Sequence, residues 1–355
     1  MNGSHGHKSC IVIGAGGVGV ITAYSLFKAQ KCQVSLIVRS DYDHVVQEGY
    51  NIDSCDYGAV KEWKPHYAYR NTQDAAAGDR FFDYIVVTTK NIPDGAAENT
   101  VSQVIRPLVE SNARIDSTRV TCVVLVQNGI DIEKELQEEF DHPLALVSGV
   151  QLIASTKLAP GIVHQKGKDH LIVGAFDAMD AHAVAGAREF VEMYRNEGQN
   201  HVEFDASTRF TRWKKLLYNA AINTTTALVE LDVPRCLEFA QGSLGTEHTL
   251  FRPAMQEIVA IAASEGITLG EQLIDFFVEI TRNLVYKPSM CVDHEKGQLM
   301  EIEVIVGNPL RIAQRNGVPT PTLNVIYTLI KMLQSKTKEA QGLLKFDEKT
   351  ARLAQ

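Results

Sequence analysis

Short, predominantly apolar runs punctuate the first half of the chain. They are Cys10-Ile-Val-Ile13, Gln33-Val-Ser-Leu-Ile-Val38, Phe82-Asp-Tyr-Ile-Val-Val-Thr-Thr89 and Val120-Thr-Cys-Val-Val-Leu-Val126. They are rich in β-branched residues, too short for helices, and show no clean alternation. This is the pattern of strands covered on both faces, as in a parallel sheet. Leu144–Gly149 and His170–Gly174 extend that sheet, with Pro160-Gly161-Ile-Val-His164 as a hairpin between them. Glu48–Tyr69 reads as short strands or an irregular excursion with Trp63 as a packing residue, and Ala96–Leu108 as a helix. From about Phe204 the pattern becomes helical: Arg209–Leu231, Ser243–Glu265, Gly270–Val285, Lys296–Asn316 and Leu323–Leu333. Pro319-Thr-Pro321 is a stiff link before the last main helix, and Glu348–Gln355 is a polar end expected to fray. Strands first and helices afterwards predict two domains, residues 1–203 and 204–355, an α/β domain with a parallel-rich sheet followed by an all-α domain.

The junction after the first strand carries the first chemistry. Gly14, Gly16 and Gly19 have the G-x-G-x-x-G spacing and run without a break into an apolar helical stretch. Gly14 permits the tight turn, Gly16 lets backbone N–H groups approach a pyrophosphate, and Gly19 lets helix and strand pack closely. The first-turn N–H groups and the positive end of the helix dipole then face the phosphates. The N-terminal domain is therefore read as Rossmann-type and dinucleotide-binding, with Gly17 and Val18 among the turn contacts.

Composition narrows the class. At 355 residues the chain exceeds a usual single core, and 45% hydrophobic with 22% charged residues fits a globular protein. The net charge of −8 points away from a nucleic-acid surface. No apolar run reaches membrane-spanning length, and the first residues lack a signal-peptide core, so a cytoplasmic protein is expected. Cys10, Cys32, Cys55, Cys122, Cys236 and Cys291 are scattered, which predicts free thiols and no zinc framework. His5 and His7 are read as part of a polar leader in preference to a weak metal-binding tag, and no metal site is expected.

Three strand ends carry further candidates. Arg39 stands where an NAD-preferring site places an acidic residue, and a guanidinium there can pair with a 2′-phosphate. This favours NADPH, the other reading being that Asp41 takes the ribose. Thr88, Thr89 and Lys90 close the third clear strand at the edge where doubly wound sheets bind ligands. Gln127-Asn128-Gly129 closes the next, and Asn128 is equally a turn residue or an amide aimed at the nicotinamide. His164 alone reads as structural.

In the helical half, Lys215, Asn219 and Asn223 recur every four residues, about 40° apart around a helix and about 6 Å apart along it. They form a polar ridge amid Leu216, Leu217, Ala220, Ala221 and Ile222. Buried asparagines need partners, which a ligand rich in oxygen or a polar ladder between helices would supply equally well. A second block, Pro288-Ser289-Met290 through Asp293 and Gly297 to Glu301 and Glu303, runs from a loop into a helix. On a helix Glu301 and Glu303 lie about 200° apart, so one points inward and the other outward.

Together these residues resemble the ketopantoate reductase (2-dehydropantoate 2-reductase) family over most of the chain. The resemblance rests on the glycine turn, Arg39, Lys90, Gln127-Asn128-Gly129, Gly161-x-Val163-His164, Lys215-Leu-x-x-Asn219-x-x-x-Asn223, Ser289-Met290, Asp293, Gly297, Glu301 and Gly307. It implies Lys215 as general acid and Glu301 as the carboxylate that orients substrate and lysine and also borders the cofactor. Asn219, Asn223 and Ser289 are implied as substrate-binding groups, Asn128 as the residue spanning cofactor and substrate, and Arg39 and Lys90 as NADPH contacts. The chain departs from the family pattern in insertions around Asp53–Arg80 and Glu110–Arg119, a C-terminal extension, and Thr224 in place of a proline. The segment Gly149-Val-Gln-Leu-Ile-Ala also lacks the family's threonines.

Chemistry supports the implied roles. Reduction of a 2-oxo acid leaves negative charge on the carbonyl oxygen, which needs a proton and a nearby cation. A lysine supplies both, with burial lowering its pKa and a carboxylate raising it again. The expected activity is NADPH-dependent reduction of 2-dehydropantoate to (R)-pantoate, in the pantothenate pathway. The alternatives are another branched or aromatic 2-oxo acid, or a non-catalytic NADPH-binding regulator, which would need neither Lys215 nor Glu301. The expected partner is a small molecule, with no nucleic acid or membrane, and a homodimer remains open.

Overall fold

The computed structural model describes residues 8–354. The leader histidines His5 and His7 lie outside the described residues. The chain divides into two compact units. One comprises the chain up to Thr89, Val101–Gln127 and Ile132–Thr208. The other comprises Lys90–Thr100, Asn128–Asp131 and everything from Arg209. The main division thus falls at Thr208/Arg209, and two short segments embedded in the sheet-forming half belong with the helices.

The first unit is built on a ten-stranded sheet. Its strands are β1 (Lys8–Ile13), β2 (Cys32–Ile37), β3 (Tyr50–Ser54), β4 (Gly58–Trp63), β5 (Tyr67–Tyr69), β6 (Tyr84–Val87), β7 (Thr121–Leu125), β8 (Leu144–Ala159), β9 (Ile162–Ala175) and β10 (His201–Phe204). They lie in the order β4-β3-β9-β8-β7-β6-β1-β2-β5, with β10 also paired to β9. β2, β1, β6, β7 and β8 run parallel to their neighbours in turn, and β8 with β9 is antiparallel. The apolar runs are the central strands: every residue of Tyr84–Val87 and Thr121–Leu125 is buried, as double coverage requires. β8 begins with a buried run and then alternates between exposed and half-buried, so its distal part has only one covered face. Pro160-Gly161 makes the β8–β9 turn, with Gly161 at φ +68°. Trp63 is buried against Tyr24, Phe27 and Tyr50.

From β1 the chain passes to β2 on one side, crosses to the far edge for β3 and β4 beside β9, comes back to β5 next to β2, and then places β6, β7 and β8 on the other side of β1. β1 and β6 therefore flank the switch point, where ligands bind in such sheets. The helix Gly17–Lys28 starts there. Gly14 has φ +115°, and a side chain on it would lie 2.7 Å from Thr88 Oγ1. A Cβ on Gly19 would sit 1.8 Å from the Gly14 carbonyl oxygen, whereas one on Gly16 would meet nothing within 4 Å. Gly19 is thus glycine because helix and turn touch, whereas at Gly16 the protein itself leaves open space in front of the turn. Gly19→Ala is expected to cost about 1–3 kcal/mol of stability through forced displacement of the turn, read as a lower urea midpoint.

In the helical unit, Thr208–Tyr218, a π turn at Asn219–Asn223 and Thr224–Val229 follow one another without interruption. A further helix at Val233–Phe239, capped by Asp232, was not anticipated. The expected helix over Lys296–Asn316 is broken. Ser289–Glu295 is helical, then Gly297 at φ +64° ends it. The N–H of Gly297 donates to the His294 carbonyl and that of Gln298 to Asp293, the paired bonds of a Schellman stop. Helix resumes as a π turn at Glu303–Gly307 and continues over Asn308–Asn316. Glu301 therefore precedes that helix. It points inward for a reason other than helical angle, and Glu303 is held by Arg311 and the Tyr327 hydroxyl. The last long helix, Pro321–Ala340, outruns the expected Leu323–Leu333 because its amphipathic pattern continues. The buried carboxylate of Glu257 accepts the N–H groups of Thr322 and Leu323, both at 2.8 Å, at that helix's N-terminus. The polar end forms a small antiparallel pair, Phe346–Asp347 with Arg352–Leu353.

Candidate active site

The helix through Lys215 is anchored by fully buried Trp213, Leu217, Ala220 and Ala221. Anchoring leaves the ridge in one orientation. Asn219 and Asn223 are buried at 6% and 1% exposure, and Lys215 is half-buried. The π turn falls on the two asparagines, and the Asn223 amide donates to Asn219 Oδ1 at 3.4 Å. Widening the turn to i→i+5 bonding keeps them on one side. Asn223 Oδ1 also accepts the Met290 N–H at 2.9 Å, and its amide donates to Ser289 Oγ at 3.1 Å. The asparagine thereby fixes the start of the Ser289–Glu295 helix beside the ridge.

A chain of polar groups starts at the lysine. Lys215 Nζ donates to Asn128 Oδ1 at 2.9 Å, and Asn128 Nδ2 donates to Glu301 Oε2 at 2.8 Å. Glu301, 3% exposed, accepts the Asn91 N–H on its other oxygen at 3.1 Å. Lys90 Nζ lies 3.6 Å from Glu301 Oε2 and 2.6 Å from Asp293 Oδ2. The structure thus brings Lys90, Asn128, Lys215 and Glu301 into one linked set, next to Asn219, Asn223 and Ser289. Lys90 is engaged by carboxylates of the helical unit, a setting the sequence did not suggest. Gly14, Gly16, Gly17, Val18, Gly19 and Arg39 belong to the other unit.

The loop that carries Asn128 is held by the helical unit itself. Arg212 Nη1 donates to the Gly129 carbonyl at 3.2 Å, the Ile130 N–H to Val304 O at 3.1 Å, and Asn308 Nδ2 to the Ile130 carbonyl at 2.7 Å. Gly129 has φ +101°, and a Cβ there would collide with Val304 at 2.6 Å. The Asn-Gly turn signal and the amide's site geometry thus hold together. Arg212 and Asp293 are the residues the sequence reading left without a role. Their signals were spacing: Arg212 is one helical turn before Lys215, and Asp293 one turn after Ser289.

Electrostatics follow from this geometry. Burial pushes the Lys215 ammonium down to about 8, with Glu301 pulling it up and Arg212 and Lys90 pushing it further down. Desolvation works against the charge on Lys90, but Glu301 and Asp293 outweigh it and raise its pKa. Asp293 is raised by burial, with Lys90 opposing. A lysine poised near neutrality beside a buried carboxylate is suited to giving up a proton.

In the sheet unit, Arg39 is exposed just past β2. Asp41 is 5% exposed and accepts Lys157 Nζ at 2.7 Å and Ser40 Oγ at 2.7 Å, so its carboxylate is already committed. The open side of Gly16, the glycine turn and the helix N-terminus fit a dinucleotide's pyrophosphate.

A parallel-rich sheet opening on such a turn, together with a helical unit carrying a lysine–amide–carboxylate set, defines the class of two-domain nicotinamide-dependent reductases. Comparison with known proteins identifies the family. The family model described as ketopantoate reductase PanE/ApbA matches residues 10–178, and the model of its C-terminal part matches residues 208–334. An uncharacterized protein of Saccharomyces cerevisiae is 59% identical over 349 residues, 97% of this chain and 98% of the relative. The crystal structure of 2-dehydropantoate 2-reductase from Methylococcus capsulatus superposes with a TM-score of 0.77 at 29% identity, covering 93% of this chain and 97% of that one. D-mandelate dehydrogenase in complex with NADH and anilino(oxo)acetate shares the fold, with a TM-score of 0.71 at 17% identity over 93% of this chain and 99% of that one. The chain belongs to the ketopantoate reductase family. It is an oxidoreductase of the 2-dehydropantoate 2-reductase kind, a 2-oxo acid reductase that uses a nicotinamide cofactor.

Proposed function

We propose that the protein reduces 2-dehydropantoate to (R)-pantoate with NADPH, and that Lys215 is the general acid. The observation that carries this reading is the Lys215–Asn128–Glu301 linkage, which gives a half-buried ammonium a fixed direction and a pKa near 8. When bound, the reduced nicotinamide supplies the hydride that reaches C2 of the substrate. As charge grows on the C2 oxygen, Lys215 Nζ stabilises it and passes it a proton. Asn128 holds Nζ in place, and Glu301 orients Asn128 through its amide. Asn219, Asn223 and Ser289 offer amide and hydroxyl groups to the substrate's carboxylate and hydroxyl. A site built from such groups discriminates against analogues that cannot bond to them.

Arg39, with Asp41 already paired, supports NADPH over NADH. Arg39→Ala is expected to raise the KM for NADPH about 10- to 100-fold, the worth of a charged hydrogen bond, and to leave the KM for NADH nearly unchanged. Equal weakening of both would remove Arg39 from 2′-phosphate recognition.

A larger, aromatic 2-oxo acid is the second reading. It is favoured by the Tyr218 and Tyr286 hydroxyls, which meet at 2.5 Å and bring together aromatic rings three residues after Lys215 and three residues before Ser289 in the sequence. Steady-state rates on a panel of 2-oxo acids with both cofactors separate the two. Highest kcat/KM on 2-dehydropantoate supports the proposal, and preference for a substrate lacking the 4-hydroxyl overturns the pantoate assignment.

A further inference from the structure

Outside the set described above, three metal-ligating side chains meet on the sheet unit. We propose that His170, His201 and Glu203 bind a divalent transition-metal ion of the zinc type, which clamps β10 to β9. β10 is only four residues long and, among the described residues, pairs in the sheet with β9 alone. The pairing is parallel, with His201 opposite His170 and Glu203 opposite Ile172. His201 and Glu203 are two residues apart on a strand and so share a face, and the register brings His170 to the same face.

The donor atoms are already gathered. His170 Nε2 is 3.0 Å from Glu203 Oε1, and His201 Nε2 is 4.0 Å from Glu203 Oε2. One ligand atom from each residue lies within 4.8 Å of the others. The two rings meet edge to face with centroids 4.5 Å apart. Zinc bonds of about 2.0–2.2 Å in a tetrahedral site place neighbouring donors roughly 3.3–3.5 Å apart. Small side-chain rotations close the remaining gap. The side chains are 33%, 66% and 49% exposed, so water can reach the donors and complete the coordination. Two imidazoles and a carboxylate select zinc, copper or nickel over magnesium or calcium, which take oxygen ligands.

The clamp has a mechanical consequence. The β9–β10 ladder continues through the Asp205 N–H to Val173 O at 2.8 Å, and the Thr208 hydroxyl then reaches Ala175 O at 3.2 Å. A metal at the start of β10 would pin the other end of this short ladder. An ion that binds only the folded chain stabilises it by mass action.

The test is calorimetric titration of zinc chloride into the untagged full chain carrying His5→Ala and His7→Ala, which removes the leader imidazoles. Saturable one-to-one binding is expected, with His201→Ala and Glu203→Gln each weakening it at least about tenfold, the scale of losing a group that supports a metal. Zinc should also raise the thermal unfolding midpoint of the parent and not that of His201→Ala. Absence of saturable binding, or unchanged affinity in both variants, overturns the site.

Discussion

Replacing Lys215 by alanine is expected to lower kcat by about 10²- to 10⁴-fold, the usual worth of a positioned proton donor. Cofactor binding, followed by quenching of protein fluorescence, should survive because no atom of the glycine turn is touched. The pH profile provides a second readout. With Lys215 held down to about 8 by burial, the proton-loaded form is lost as pH rises through that value, so kcat/KM for reduction should fall on the alkaline side. Residual activity in Lys215→Ala should show no such limb. Turnover that is unchanged, or that keeps the same alkaline limb, would remove Lys215 from the mechanism.

Glu301→Gln is expected to have the next largest effect, for two separable reasons. Glutamine keeps an acceptor for either the Asn128 amide or the Asn91 N–H, but its NH₂ group faces the other donor. One of the bonds at 2.8 and 3.1 Å is therefore lost, and Asn128 no longer holds Lys215 firmly. The carboxylate is also the group that raises the Lys215 pKa against burial, Arg212 and Lys90. Without it the ammonium deprotonates more readily. The alkaline limb of kcat/KM should therefore move to lower pH while the maximum drops at least about tenfold, the scale of an orienting hydrogen bond to a charged group. A lower maximum with an unmoved limb would assign Glu301 to positioning alone. Full activity would exclude both roles.

Much of this architecture was legible in the residues. The runs at Tyr84–Val87 and Thr121–Leu125 read as doubly covered strands because a parallel strand with two dry faces has no polar positions to betray it. The spacing of Gly14, Gly16 and Gly19 marked the turn, and the structure requires glycine at Gly14 for its positive φ and at Gly19 for close packing, while the space in front of Gly16 is open. The polar ridge was visible because lysine and asparagine amid leucine and alanine repeat with a helix's period.

Helix ends were less legible. The block from Pro288 reads as a loop running into a helix over Lys296–Asn316, yet Ser289–Glu295 is already helical and Gly297 ends it. The bonds from Gly297 and Gln298 to His294 and Asp293 show why it breaks. That break takes Glu301 off the helix and lets both its oxygens reach backbone and side-chain donors from other segments.

The sequence by itself determined the local choices: which stretches are strands, where the glycine turn lies, and that Lys215, Asn219 and Asn223 share a helix face. Each depends on neighbours a few residues apart, where backbone sterics and periodicity suffice. Only the tertiary structure decided which distant groups meet. Asn128 is held between Lys215 and Glu301 because Arg212, Val304 and Asn308 grip its loop. His170 meets His201 because β10 pairs in parallel with β9. Such meetings depend on strand pairing and packing across long stretches of chain, which no spacing along the sequence encodes.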